Sequence, residues 1–319
     1  MRKYVSIVIT TLFFFAFGFA EAQGYTFRVL VNKGQNKVKK AGASTAILLK
    51  TGAVLNANDR LIASKRAYIG LMHKTGKTLE VTTSGTKKVS DLEKKISTKT
   101  ASVASRYAQF LSNKMNEKEK PGYRANLSKA TGAAERGFSG DIKVLLPSDP
   151  EQSVTIEDKV IVTWETKEDI DVNAFIVTVY NIFDEEILKE EVQGNSLDLD
   201  FTQDKMQNEE GLYIIKVLAK TDIESTSGDE GIPIRRLTDE EAVQYQEGLK
   251  SLKSEVSGDS PLNKLIYASY YEENGLIVDA LTVIEEAIRM NPDVEDFVVF
   301  KQDIIERNSI KIYEDEPVD

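Results

Sequence analysis

The sequence has 319 residues, 41% hydrophobic and 29% charged, a balance that suits several folded globular domains and excludes wholesale disorder. With no Cys and one His, disulfides, cysteine nucleophiles and histidine-rich metal centres are excluded. The net charge of −10 hides a division: residues 24–137 carry 23 Lys+Arg against 7 Asp+Glu, whereas residues 138–319 carry 16 against 43.

Residues 1–22 have the layout of a secretory signal peptide. Arg2 and Lys3 precede an apolar run over 5–20, and Ala20-Glu21-Ala22 offers a small-x-small cleavage site. The alternative is a retained anchor, but the run is shorter than the ~20 residues a comfortable span needs. Export without disulfides predicts a bacterial envelope protein, periplasmic or at the cell surface and soluble after cleavage.

Residues 24–96 read as short strands, YTFRVLV, TAILLK, RLIAS, AYIGLMH and TLEVTT, separated by turns at Lys33-Gly34, Thr51-Gly52, Asn58-Asp59 and Thr75-Gly76. This predicts a small all-β domain. Leu49-Lys50-Thr51-Gly52, Asn58-Asp59, Tyr68-Ile69-Gly70-Leu71 and Lys74-Thr75-Gly76-Lys77 follow one another at the spacing of a known module, and the stretch resembles the FecR-type β domain of bacterial envelope proteins. The usual Asp before the hairpin Gly is missing. The resemblance implies an envelope β module for binding and does not extend to the signal relay of that family's best-known members.

Lysines and arginines decorate this block at Lys37, Lys39, Lys40, Lys65, Arg66, Lys87, Lys88, Lys94 and Lys95. They are candidates for contact with an anionic glycan or membrane surface, or else form a solvated face balanced by the acidic half of the chain. Nucleic acid is not expected, because no aromatic-interleaved binding motif occurs. His73 reads as a surface residue at a hairpin.

Residues 97–139 combine a helix over about 99–115, with Val103, Tyr107, Phe110 and Leu111 at helical spacing, and a polar linker too poor in large apolar groups to fold. Residues 140–235 return to alternating strands. About seven short runs, with Trp164 on an early one and Tyr213 on a late one, are similar to an immunoglobulin or fibronectin III sandwich. Neither Ser196–Phe201, with Asp198 and Asp200 on one strand face, nor the acidic 168–171 segment has the glycine turn and later Glu of a calcium loop.

Residues 238–319 form a helical domain with an acidic tail. Thr238 and Glu241 form a capping box, and Ala242, Val243, Tyr245, Leu249 and Leu252 an apolar stripe. Residues 261–292 then give two amphipathic helices about an Asn274-Gly275 turn, with small Ala268, Ala280 and Ala287 beside bulky Tyr267, Tyr271, Leu276 and Ile284. This unit resembles a tetratricopeptide repeat, which implies a protein-binding scaffold that uses Tyr267 and Tyr271. A last helix over about 294–307 has Phe297, Val298, Ile304 and Ile305 inward.

Serine-elbow, phosphate-loop and dinucleotide signatures are missing, so only an unfocused carboxylate pair remains open to catalysis. The expectation is a multidomain β-then-α, non-catalytic scaffold or adaptor for envelope proteins, with no cofactor, metal or small-molecule substrate. The alternative is a surface or cell-wall protein that binds anionic glycan or membrane through its basic β domain.

Overall fold

The computed structural model describes residues 25–96, 102–118, 142–166, 172, 174–206, 211–220, 231–256 and 258–310. The export segment, most of the linker, the acidic 168–171 segment, the 221–230 hinge and the acidic tail lie outside the described residues. No helix among the described residues is long and apolar enough to cross a membrane. Antiparallel sheets occupy the N-terminal and central parts, and most of the helices follow them.

The N-terminal strands are β1 (Phe27–Lys33), β2 (Lys37–Lys39), β3 (Ile47–Leu48), β4 (Val54–Leu55), β5 (Arg60–Ala63), β6 (Tyr68–His73), β7 (Thr78–Val81) and β8 (Gly85–Lys88), followed by helix α1 (Val89–Glu93). They build two four-stranded sheets, ordered β4-β1-β6-β7 and β3-β2-β5-β8. Phe27, Val29, Val38, Leu55, Leu61, Ile69 and Leu71 fill the core of this unit. All six residues of β6 are buried, so a second layer must cover its outer face. The bulge in β1 between Val29 and Val31 turns Leu30 and Val31 toward that same layer, together with Tyr68 and Met72.

The central strands are β9 (Ile142–Val144), β10 (Val154–Thr155), β11 (Lys159–Thr166), β12 (Ala174–Tyr180), β13 (Glu186–Gln193), β14 (Ser196–Asp200), β15 (Leu212–Ala219) and β16 (Ile232–Arg236). A three-stranded sheet, β14-β11-β9, packs on a five-stranded one, β10-β16-β15-β12-β13. Trp164 of β11 and Phe175 of β12 meet edge to face at 5.3 Å and join the two layers. All pairs in this unit are antiparallel except β10 with β16.

The second layer on β6 is helical. It comprises α2 (Ser102–Lys118), α3 (Asp239–Glu255), α4 (Pro261–Glu273), α5 (Ile277–Met290) and α6 (Glu295–Arg307). Thr238 and Glu241 make the reciprocal bonds of a capping box at the start of α3. Ser260 caps α4, whose first residue is Pro261. Ala268, Ala280 and Ala287 are buried, which lets α4 and α5 approach closely. Val243 and Val298, expected inward, are 61% and 39% exposed; Ala242, Phe297 and Phe300 take the buried positions beside them.

These helices touch both β units. Asn263 of α4 accepts from the Thr78 hydroxyl of β7 at 2.5 Å. In α5, Thr282 Oγ1 accepts from the backbone N–H of Ile161 at 3.0 Å. The Asp296 carboxylate of α6 accepts from Asn32 N at 2.6 Å, while Lys301 of the same helix reaches Thr163 at 3.0 Å. The Tyr68 and Phe297 rings meet edge to face at 6.0 Å. One apolar cluster therefore runs from β1 and β6 through the helices into the central sheets.

Candidate functional site

The outer face of the β3-β2-β5-β8 sheet gathers much of the basic charge. Directly opposed residues on neighbouring strands share a face. Lys39 of β2 stands opposite Arg60 of β5, which stands opposite Lys88 of β8. With strands ~4.8 Å apart, the row spans ~10 Å. Lys37, two residues along β2, lies on the same face opposite Leu48 and Ile62. Val38, Leu61 and Ala63 point the other way and are buried, which fixes the register and turns the cations outward.

Like charges directly opposed across strands cost stability, roughly 0.2–1 kcal/mol for each pair. Among the described residues no carboxylate lies within ion-pair distance of Lys37, Lys39, Arg60 or Lys88. Asp91 acts on Lys88 only through its field. An uncompensated cationic row of this kind attracts anions.

The other cations expected to take part are placed differently. Lys40 donates to Val54 O and to the buried Asp59 carboxylate at 2.8 Å. Lys65 and Arg66 are exposed beyond the opposite end of β5. Lys87 stands opposite the buried Leu61, on the reverse side of the sheet. Lys94 pairs with Asp91 at 3.0 Å, and Lys95 is exposed after α1. Arg60, a lone cation between the Asn58-Asp59 turn and the apolar Leu61-Ile62-Ala63, completes the row and belongs to none of the charge clusters visible in the sequence.

Asp59 organises the turn beneath the row. It accepts from Asn56 N, Ala41 N and Lys40 Nζ. Burial alone would raise its carboxyl, but these donors more than offset that and hold it below the usual carboxylate range.

His73 is not at the surface. It is 6% exposed, sits edge to face with Phe27, and its ring nitrogens face Thr75 and Glu93. The register sets it opposite the buried Phe27, and the turn beyond it is held against α2 at Gly76, where a Cβ would stand 2.3 Å from Ser105 Cα.

The two tyrosines assigned to a partner are engaged within the chain. Tyr271 is 2% exposed and donates to Glu157 Oε1 at 2.5 Å, and burial pushes its hydroxyl pKa up strongly. Tyr267 is half-buried and donates to Val256 O at 3.1 Å. The central β unit covers Tyr271 through Glu157, so this side chain is not available to an external partner, whereas Tyr267 lies against the end of α3.

Asp198 pairs with Arg289 at 2.8 Å, and Asp200 is held by Thr202 and Lys159. Among the described residues no group of three or more His, Asp or Glu side chains could share a metal ion. No protein-family model matches the chain, and no curated protein matches it.

Proposed function

We propose that this chain is a non-catalytic exported binding protein whose working surface is the cationic row Lys39–Arg60–Lys88 with Lys37. The ligand is a linear anionic polymer of the envelope, an acidic glycan first of all. The observation that carries this reading is the in-register alignment, on one solvated sheet face, of three cations that have no carboxylate within ion-pair distance among the described residues. A straight row suits an extended polyanion better than a compact one.

Under this reading the N-terminal unit is a FecR-type β module and the central unit an immunoglobulin- or fibronectin III-like sandwich. The buried Trp164 and the Tyr213 hydroxyl bonded to the upstream Met206 carbonyl support the latter. The repeat-like helix pair serves as a bracket that fixes the binding module to the sandwich.

The test is co-sedimentation of the full chain with polygalacturonate, neutral dextran as control, and anionic phosphatidylglycerol vesicles as a separate arm. Polygalacturonate binding should weaken steeply with salt and fall about tenfold or more in Lys39→Glu/Arg60→Glu/Lys88→Glu. Lys94→Glu/Lys95→Glu should bind as the wild type does. Salt-insensitive binding, or binding untouched by the triple reversal, overturns the proposal; equal binding to the vesicles makes the ligand a membrane.

A protein scaffold is the second reading. Val298, Val299 and Met290, 39–42% exposed where α5 gives way to α6, favour it. Crosslinking in native cells should then join this end of the chain to another envelope protein, and its absence there counts against the reading.

A further inference from the structure

Apart from the exposed residues where α5 gives way to α6, the described residues show two apolar patches of opposite electrical surroundings. One is the tip of the β12–β13 hairpin, where Ile182 and Phe183 are 44% and 67% exposed. This tip is built to hold its shape. The Asn181 side-chain oxygen accepts from Phe183 N at 2.9 Å and Glu185 N at 3.0 Å, while its amide donates to Glu185 at 2.7 Å. Asp184 adopts a left-handed φ of 60° to complete the turn. Residues 182–191 carry five acids and one lysine; Glu186, Glu190 and Glu191 pair with Lys189, Lys205 and Lys220, and Asp184 and Glu185 sit at the tip itself.

The other patch lies on the outer strands β3 and β4, each the edge of its own sheet. Leu48, on the face of Lys37, and Ile47, on the opposite side of the same edge strand, are 52% and 57% exposed, and Val54 on the β4 edge is 39% exposed. Residues 37–50 carry four lysines and no acid; Lys40 is paired with Asp59, which leaves Lys37, Lys39 and Lys50 as the basic surround. An edge strand with two adjacent exposed aliphatic residues is an invitation to association, and charge limits which partner can accept it.

We propose that the hairpin tip of one copy docks on the β3–β4 edge of a second copy, in a head-to-tail contact that repeats along an assembly. Both halves of the contact are on this chain: two large apolar side chains with an acidic surround, and three with a basic surround. A symmetric contact is disfavoured on either side. Edge against edge would set Lys37 and Lys50 against their own copies, and tip against tip would do the same to Asp184, Glu185 and Glu186, at a cost in like-charge repulsion. Within one chain the two patches are both exposed, so neither covers the other. A heterologous contact closes into a ring or continues as a filament. Lys37 and Leu48 lie on the cationic face as well, but the inference does not rest on the glycan reading, since Phe183→Asp and Ile47→Asp leave Lys39, Arg60 and Lys88 in place.

Sedimentation velocity on the full chain, across a concentration series at low and high salt, tests this. The wild type should form larger species as concentration rises at low salt, and these should dissociate at high salt. Phe183→Asp and Ile47→Asp should each weaken self-association about tenfold or more, as expected from loss of one buried large side chain. An equimolar mixture of the two variants should form a dimer that grows no further, because one intact tip and one intact edge remain between each pair of chains. Ile182→Asp and Leu48→Asp replace them if either first variant loses its circular dichroism spectrum. A wild type that stays monomeric at low salt, variants that assemble like the wild type, or a mixture that stays monomeric overturns the proposal.

Discussion

Leu262 of α4 lies directly on the backbone of Gly70 in β6: a Cβ at that position would stand 2.7 Å from the leucine Cδ1 and 3.2 Å from Val31 Cβ. The helical layer thus reaches the N-terminal sheet at a point where only glycine leaves room. Leu262 is itself fully buried and has nowhere to retreat. Gly70→Val should therefore destabilise the fold by about 1–3 kcal/mol, the usual cost of overpacking. Chemical denaturation should show a lower midpoint, while Gly85→Ala, in open space but at positive φ, gives a comparison for backbone strain alone.

Asp279, fully buried at the start of α5, accepts from the Thr155 hydroxyl and from Ile156 N at 3.0 Å, with Glu157 nearby. Burial, the largest effect, raises its pKa from 3.8 to about 7 despite the donors. The folded state therefore keeps a proton that the unfolded state releases between these values. The contribution of Asp279 to stability is fully present below pH ~4, is lost as pH rises toward 7 and is flat above, a change of roughly 4 kcal/mol. Asp279→Asn should lose this slope. Melting temperatures of both proteins between pH 5 and 8 decide the matter, and parallel curves count against it.

Asp59 has the opposite sign. Its folded-state pKa is lowered, so its contribution is present above the unfolded value near 3.8 and is lost as pH falls through the folded one. Asp59→Ala leaves two turn amides without their acceptor and frees the partly exposed Lys40, and should cost about 2 kcal/mol at pH 7. Urea denaturation at pH 7 measures it.

Tyr271→Phe should cost about 1 kcal/mol through loss of the bond to Glu157, with polyanion binding unchanged. A loss of ligand binding without a loss of stability would instead assign this residue to a partner surface.

Much of the order of elements was legible because burial patterns are local. Trp164 stands between polar Thr163 and Glu165, Thr238 and Glu241 announce a cap, and Asn274-Gly275 a helix turn. The strands that were missed are instructive. In β2 only Val38 faces the core, so Lys37-Val38-Lys39 reads as a charge cluster; β8, Gly85–Lys88, has no apolar residue at all. Their strand character comes from pairing with β5. The cationic row depends on the register between strands far apart in sequence, which no local pattern encodes, and Arg60 could be recognised only from it. The burial of Tyr271 and His73 has the same origin, since what covers them arrives from elsewhere in the chain.

The double covering of β6 also sets a timetable. Asn32 bonds to Asp296, 264 residues later, so the N-terminal unit waits for nearly the whole chain before its outer face is sealed. Contacts of such separation form late and slowly. A chain emerging N-terminus first keeps Leu30, Val31, Tyr68 and Met72 open to water until α4 and α6 arrive. During that interval the newborn protein is most exposed to proteases and to wrong partners.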